Sequence, residues 1–192
     1  MKDKLFLFII FLSLALGRET SFQMVEKSDN NTLYKFALPD LTINDKNGFK
    51  AILGNSGTTT VPGMPELPHY TTLIQLTKNT NYRIEYNVIS SHTLENIKLF
   101  PHQGFENTEE FFIDEDFYNS TVGFPADPAN ISTPGAFRGI EVAELSVIPF
   151  QYHPSENKLE VFDEIEIQII EEGERKSIEM REVKLSRVFE KL

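Results

Sequence analysis

The sequence contains no cysteine and no tryptophan among its 192 residues, and basic side chains are scarce. The absence of cysteine excludes a thiol nucleophile, a thiolate metal site and any disulfide bond. Eighteen Lys and Arg stand against 29 Asp and Glu, which gives a formal net charge of −11. Nucleic acids and anionic membrane surfaces bind clusters of Lys and Arg, so this charge balance argues against both as partners.

Long hydrophobic runs are also missing, except for Leu5 to Leu16, which follows Lys2 and Lys4 and ends beside Gly17. A short basic start, an apolar stretch and small residues form the pattern of a secretory signal. As a helix this run would reach only ~18 Å, less than the ~30 Å of a bilayer core. We therefore predict that residues 1–17 are a removable signal peptide. The protein is expected to be bacterial and secreted (periplasm, cell surface or extracellular), with no membrane span after signal removal.

The chain as a whole is 40% hydrophobic and 11% aromatic, enough for one domain with a real core. Helical periodicity is nearly absent, whereas apolar and polar residues alternate with the period of β-strands. Asn79–Asn81 has the composition of a hairpin turn, and the last two strands are predicted to pair with each other. The predicted strands are Leu33–Leu38, Phe49–Leu53, Tyr70–Lys78, Tyr82–Ile89, Thr93–Phe100, Ile140–Ile148 and Leu159–Ile170.

Short strands separated by Pro- and Gly-rich turns indicate an all-β fold, an antiparallel β-sandwich of jelly-roll-like type. The domain is predicted to cover residues 18–170, followed by a charged linker or tail over 171–192. Residues 101–136 lose periodicity and form a long irregular loop region. Its aromatic residues, around Phe111 and Phe117-Tyr118, are expected to anchor it to the core.

Residues that could carry chemistry do not form a catalytic pattern. The four histidines (His69, His92, His102 and His153) lie in separate segments without metal-ligand spacing. Glu109, Glu110 and the acidic residues 114–116 could contribute to a calcium site or form a solvated acidic loop. We expect no enzyme activity and no cofactor in this chain.

Arg138-Gly139 is the most informative polar position, because it follows a turn-like segment and precedes the most regular strand. An arginine here could enter an acidic pocket on a partner, where its planar guanidinium pairs with a carboxylate in a bidentate manner. It could equally bond strand-end carbonyls or be an ordinary surface charge.

Two clusters of residues together resemble the propeptide of gingipain-type cysteine peptidases. The first is Gly63-Met-Pro-Glu-Leu-Pro68. The second is Arg138-Gly139 followed by Leu145–Pro154 and then by Leu159–Phe162. Phe150, His153 and Phe162 depart mildly from that pattern. The matching motif residues are Gly63, Pro65, Leu67, Pro68, Pro149, Gln151, Tyr152 and Pro154.

This resemblance implies a β-sandwich that covers the active site of a cysteine peptidase catalytic domain, keeps it latent during export and assists its folding. It also implies an inhibitory loop at Arg138 and Gly139. The partner would be reached in cis, from the front of a precursor, or in trans, by a stand-alone protein. The alternative is a secreted β-sandwich module for adhesion or carbohydrate binding.

Overall fold

The computed structural model describes residues 21–105, 110–137 and 139–174. The predicted signal peptide, Glu109, Arg138 and the chain beyond Glu174 lie outside these ranges. None of the helices in the described part is long and apolar enough to cross a bilayer.

The described backbone is built from β-strands, with one four-residue helix, α1, and one 3-10 turn at Pro154–Glu156. The strands are β1 (Phe22–Lys27), β2 (Asn31–Ala37), β3 (Thr42–Lys46), β4 (Phe49–Leu53), β5 (Gly57–Thr58), β6 (Pro68–Leu76), β7 (Thr80–Leu94), β8 (Ala129–Ile131), β9 (Gly135–Phe137), β10 (Ile140–Val147), β11 (Phe150–His153) and β12 (Lys158–Glu174), with α1 at Glu115–Tyr118 between β7 and β8.

The strands form two five-stranded antiparallel sheets and a separate β3–β4 hairpin. In the first sheet β12 lies at the centre, with β7 along one side. The other side of β12 is shared by β11 and β2, and β1 lies outside β2. In the second sheet β10 lies between β6 on one side and β8 and β9 on the other, with β5 outside β6.

The core lies between the two sheets, because the central strand of each alternates buried and more exposed side chains. Ile165, Ile167 and Ile169 of β12 and Leu145 and Val147 of β10 belong to one buried cluster. Burying each such aliphatic side chain contributes roughly 1.5–3 kcal/mol. The structure therefore confirms the predicted all-β antiparallel sandwich.

Two predicted strand pairings are wrong. β6 pairs with β10 in the second sheet and β7 with β12 in the first, so residues 77–79 form a crossing between sheets and not a hairpin turn. β10 and β12 likewise lie in opposite sheets, and β12 forms its hairpin with β11 instead. Alternation shows which face of a strand is buried but not which sheet it joins, because both sheets cover the same core.

Several strand boundaries also differ from the prediction. The predicted strand Thr93–Phe100 is wrong, because β7 continues to Leu94 and residues 95–100 are irregular. Asn96 has a positive φ of 56°, which ends the extended conformation. β1 precedes the expected first strand, and nearly all of its side chains are exposed, so no apolar alternation announces it. At the other end β12 runs to Glu174, four residues beyond the predicted domain end at residue 170.

The predicted aromatic anchors hold the irregular region to the core. Tyr118 is buried, and its hydroxyl donates a hydrogen bond of 2.7 Å to the Leu99 carbonyl. The ring of Phe111 contacts those of Phe49 and Phe100, with centroids 5.5 and 5.8 Å apart. Ring packing therefore fixes the described residues up to α1, whereas α1, β8 and most of β9 interrupt the predicted irregular region of residues 101–136.

Burial raises the pKa of Tyr118 above its usual value, so its phenol stays protonated in the folded state. The unfolded phenol ionises near ~10, and above that pH each tyrosine kept protonated by folding lowers stability by ~1.4 kcal/mol per pH unit. We predict that Tyr118→Phe reduces the steepness of this alkaline loss, and that losing the hydrogen bond costs ~1 kcal/mol at neutral pH. Urea unfolding between neutral and strongly alkaline pH measures both effects. Burial also raises the pKa of Tyr86, which is more exposed, so Tyr86→Phe is a control that should change the slope less. An unchanged slope for Tyr118→Phe would contradict the prediction.

Candidate functional site

The predicted Arg138-Gly139 site lies in the connection between β9 and β10. Phe137 is paired with Ile140, so only residues 138 and 139 join the two strands. Gly139 is exposed and has a φ of +81°. Two-residue hairpin connections require positive φ, which glycine adopts without steric cost. The positive φ therefore explains why a glycine occupies position 139. Arg138 lies outside the described residues.

The strands flanking this connection present large apolar side chains to solvent. Phe137 is 62% exposed and Ile140 is 45% exposed, although they belong to paired strands. The end of the hairpin therefore lies on the surface of the sandwich, beside residues able to bury area against a partner.

The paired strands that carry the loop, called the hairpin base from here on, are fixed by the buried carboxylate of Glu141, which lies two residues after Gly139. This side chain is only 6% exposed and accepts the Asn79 backbone N–H at 3.0 Å. Next to it, the Thr77 hydroxyl donates to the Glu171 carboxylate at 2.6 Å. Glu141 therefore ties the β9–β10 hairpin to the crossing between β6 and β7, and Thr77 ties that crossing to β12.

The end of β12 lies at the same end of the sandwich as the hairpin base. Glu174 is paired with Thr80, which directly follows Asn79, the residue bonded to Glu141. The described chain therefore ends close to the candidate loop.

A groove of about 290 Å³ lies beside this base, lined by Thr80, Asn81, Tyr82 and residues 131–134. The Tyr82 hydroxyl donates to the Thr77 carbonyl. Burial, together with the Glu171 and Glu141 carboxylates, raises the pKa of Tyr82. The phenol thus stays neutral and keeps this hydrogen bond, which supports the same end of the sandwich.

The first motif is structural and lies away from the hairpin. Gly63 has a φ of +78°, and a Cβ there would lie 2.6 Å from the Phe112 ring and 2.8 Å from the Asp114 nitrogen. Its N–H donates to the His102 carbonyl at 2.8 Å, and its carbonyl accepts from Asp114 at 3.1 Å. Only glycine fits at position 63, where these hydrogen bonds join the irregular region to the segment before β6.

The remaining residues of this motif lead into β6. Pro65 and Leu67 are fully buried. The Thr59 hydroxyl donates to the Pro65 carbonyl at 2.7 Å and accepts the Leu67 N–H at 3.0 Å. Pro68 is buried and begins β6. These contacts place the four matching residues of this motif in the core.

The second motif is structural as well. Pro149, Tyr152 and Pro154 are buried, and Gln151 is half-buried between them. Tyr152 exchanges two backbone hydrogen bonds with Phe124, at 2.8 and 3.0 Å. Pro154 opens the 3-10 turn that leads from β11 to β12. Apart from Arg138-Gly139, the residues of the two motifs therefore build the fold and do not converge on the candidate loop.

The other residues considered for chemistry are dispersed. His92 Nδ1 lies 3.0 Å from Asp163 on the surface, and His102 Nδ1 lies 3.9 Å from Glu66. Asp114, a candidate calcium ligand, instead caps α1 by accepting the Phe117 N–H at 2.9 Å. Within the described ranges no three His, Asp or Glu side chains converge as metal ligands.

Comparison with known protein families supplies the decisive observation. The model of the Propeptide_C25 family matches residues 37–191, most of the chain. The chain belongs to the Propeptide_C25 family. It is accordingly a propeptide of the gingipain type of cysteine peptidase, and the resemblance seen in the motifs is confirmed. The match gives no support to the alternative of an adhesion or carbohydrate-binding module.

Two solved structures share the fold of this Propeptide_C25 domain. The first is "Complex of Porphyromonas gingivalis RgpB pro- and mature domains", with a TM-score of 0.69 and 19% identity over 85% of this chain and 92% of that one. The second is "Structural insight into zymogenic latency of gingipain K from Porphyromonas gingivalis", with a TM-score of 0.65 and 21% identity over 82% and 95%. At these identities the likeness shows the fold. Comparison with curated protein sequences gives no match.

Glu141 and Phe137 were not singled out from the sequence. The alternation of β10 could have revealed Glu141, because it shares the core-facing parity of Ala143, Leu145 and Val147. Val142 is apolar like Leu145 and Val147, but it has the opposite parity and faces outward. The exposure of Phe137 has no sequence signal, since β9 is only three residues long.

We predict that Gly63→Ala destabilises the propeptide far more than Gly48→Ala. Both glycines have positive φ, but a Cβ at Gly48 would meet nothing within 4 Å. The conformational penalty, roughly 1–2 kcal/mol, applies to both, and the clash with the Asp114 backbone adds roughly 1–3 kcal/mol at Gly63. Chemical denaturation of the two variants measures the difference. Equal losses would show that the irregular region yields around Gly63.

Proposed function

We propose that this propeptide keeps a gingipain-type cysteine peptidase latent by covering its active site, and that it assists folding of the catalytic domain. The observation that carries the proposal is the family match over residues 37–191. The sandwich fold supports it, since one neighbour is a complex of pro- and mature domains and the other concerns zymogenic latency.

The inhibitory element in this proposal is the loop of Arg138 and Gly139. The Arg138 guanidinium would occupy the acidic pocket that otherwise receives a substrate side chain, pairing with a carboxylate in bidentate geometry. Support comes from the two-residue connection and from Gly139, whose φ of +81° suits a tight turn. A loop held by paired strands loses little conformational entropy on binding, which favours affinity.

The end of β12 supports an arrangement in cis. Glu174 lies opposite Thr80 at the end of the sandwich where Glu141 fixes the hairpin base. A catalytic domain joined through residues 175–192 would be close to the proposed inhibitory loop. The same surface would serve a stand-alone inhibitor acting in trans.

The proposal also assigns export, inhibition and linkage to segments of this chain and catalysis to the peptidase. Residues 1–17 would direct secretion, residues 18–174 would fold as the inhibitory domain, and residues 175–192 would act as the linker. The chain has no cysteine, so the nucleophile belongs to the peptidase partner.

We predict that Arg138→Ala weakens inhibition of a sensitive gingipain-type peptidase by roughly ten- to a hundredfold, the range of an interface hot spot. Arg138→Lys should recover only part of the loss, because an ammonium cannot form the bidentate pair. The measurement is the inhibition constant of the purified propeptide against the mature domains of RgpB and gingipain K.

Arg83→Ala is the matched control, since it removes the same charge from the exposed strand β7, where Arg83 pairs with Glu172 at 2.6 Å. Its inhibition constant should equal that of the wild type. If Arg138→Ala inhibits as well as the wild type, Arg138 has no inhibitory role. If saturating wild type leaves both peptidases fully active, the latency function fails for these enzymes.

A further inference from the structure

We propose that the outward face of the second sheet docks on the peptidase catalytic domain through an apolar outer stripe. The outer stripe consists of Leu73 on β6, Phe137 on β9, and Ile140 and Val142 on β10. This inference rests on the proposed latency function and extends it from the loop to a surface.

Strand parity places these side chains on one face. In β10 the core receives residues 141, 143, 145 and 147, so Ile140 and Val142 point the opposite way. Phe137 lies directly opposite Ile140, and Leu73 lies opposite Glu144, which makes it a diagonal neighbour of Val142. Diagonal neighbours on one sheet face are within reach of long side chains. The four residues therefore form one continuous stripe.

The outer stripe is open to solvent. Leu73 is 74% exposed, the largest exposed fraction among the large aliphatic side chains of the described residues. Phe137 and Ile140 are also exposed. Opposite Val142 stands Gly135, and a Cβ built there would have nothing within 4 Å. A partner's side chains could thus reach Val142 over the glycine.

The outward face of the first sheet has a different character. Lys35 and Glu164 form an ion pair of 2.7 Å there, and Arg83 pairs with Glu172 at 2.6 Å. Glu166 and Gln168 occupy outward positions of β12 between them. A face covered by charges and ion pairs is suited to water, whereas exposed contiguous apolar side chains mark an interaction surface. The outward face of the first sheet is therefore suited to solvent, and that of the second sheet to a protein partner.

The occupant we assign is the catalytic domain. The outer stripe begins at Phe137 and Ile140, the residues that flank the proposed inhibitory loop. The described chain also ends nearby, at Glu174 opposite Thr80. A stable complex buries about 800 Å² on each partner, more than a two-residue loop can supply, so the loop needs a flanking surface. The outer stripe is the apolar surface continuous with it.

Leu73→Gln tests the docking face without touching the loop. Val122→Gln is the matched control, because Val122 is 65% exposed and lies in the loop after α1. Binding of the purified variants to the active-site-blocked mature domains of RgpB and gingipain K is measured by calorimetry or surface plasmon resonance. We expect Leu73→Gln to bind roughly tenfold or more weakly and Val122→Gln to bind like the wild type. Thermal melts should show both variants folded as stably as the wild type.

The outcomes separate this inference from the proposed function. If the wild type binds and Leu73→Gln binds equally well, the docking face is overturned while the latency proposal stands. If the wild type binds neither mature domain, the latency proposal falls and the docking face with it. If the wild type is a dimer that Leu73→Gln converts to a monomer, with unchanged affinity for the peptidases, a second copy covers the stripe and the inference is overturned.

Discussion

The shared core between β10 and β12 is the constraint on which the rest of the structure depends. Each strand is the centre of its own sheet, and each turns alternate aliphatic side chains toward the other. Since these side chains are stable only when both sheets are present, neither sheet persists alone. The positions of β7, β2 and β6 follow from pairing with these two strands. This packing also positions the hairpin loop. The loop joins β9 to the start of β10, and the core residues of β10 hold that strand in place.

The sequence predicted those features of the fold that depend on neighbouring residues in the chain. A short apolar run identified Phe49–Leu53 with its observed bounds, and alternation located β2, β6, β7, β10 and β12. It could not assign strands to sheets, because sheet membership is decided by contacts far apart in sequence. Polar strands escaped it too: Thr42–Lys46 forms β3, and the Asn47-Gly48 turn, a strong hairpin signal, is the feature that marks it.

The candidate site was predicted in part, for a related reason. The motifs led to the correct family, yet Gly63, Pro65, Leu67 and Tyr152 are buried residues that build the domain. A family pattern is strongest where the backbone tolerates no substitute, and that need not be where a partner binds. Gly139 also has a backbone explanation, since a surface turn needs its positive φ. The outer stripe lacked any pattern, because Leu73 and Phe137 become neighbours only through β10.

The closeness of Glu174 to the hairpin base bears on how the two proteins would separate. In a continuous chain, the linker holds the loop at a high effective concentration, of millimolar order for a short connection. Cutting that linker removes no contact between the domains, so the complex changes only from unimolecular to bimolecular. Latency would then persist wherever the local concentration exceeds the dissociation constant and disappear on dilution. Release would be governed by the volume into which the cut pair diffuses.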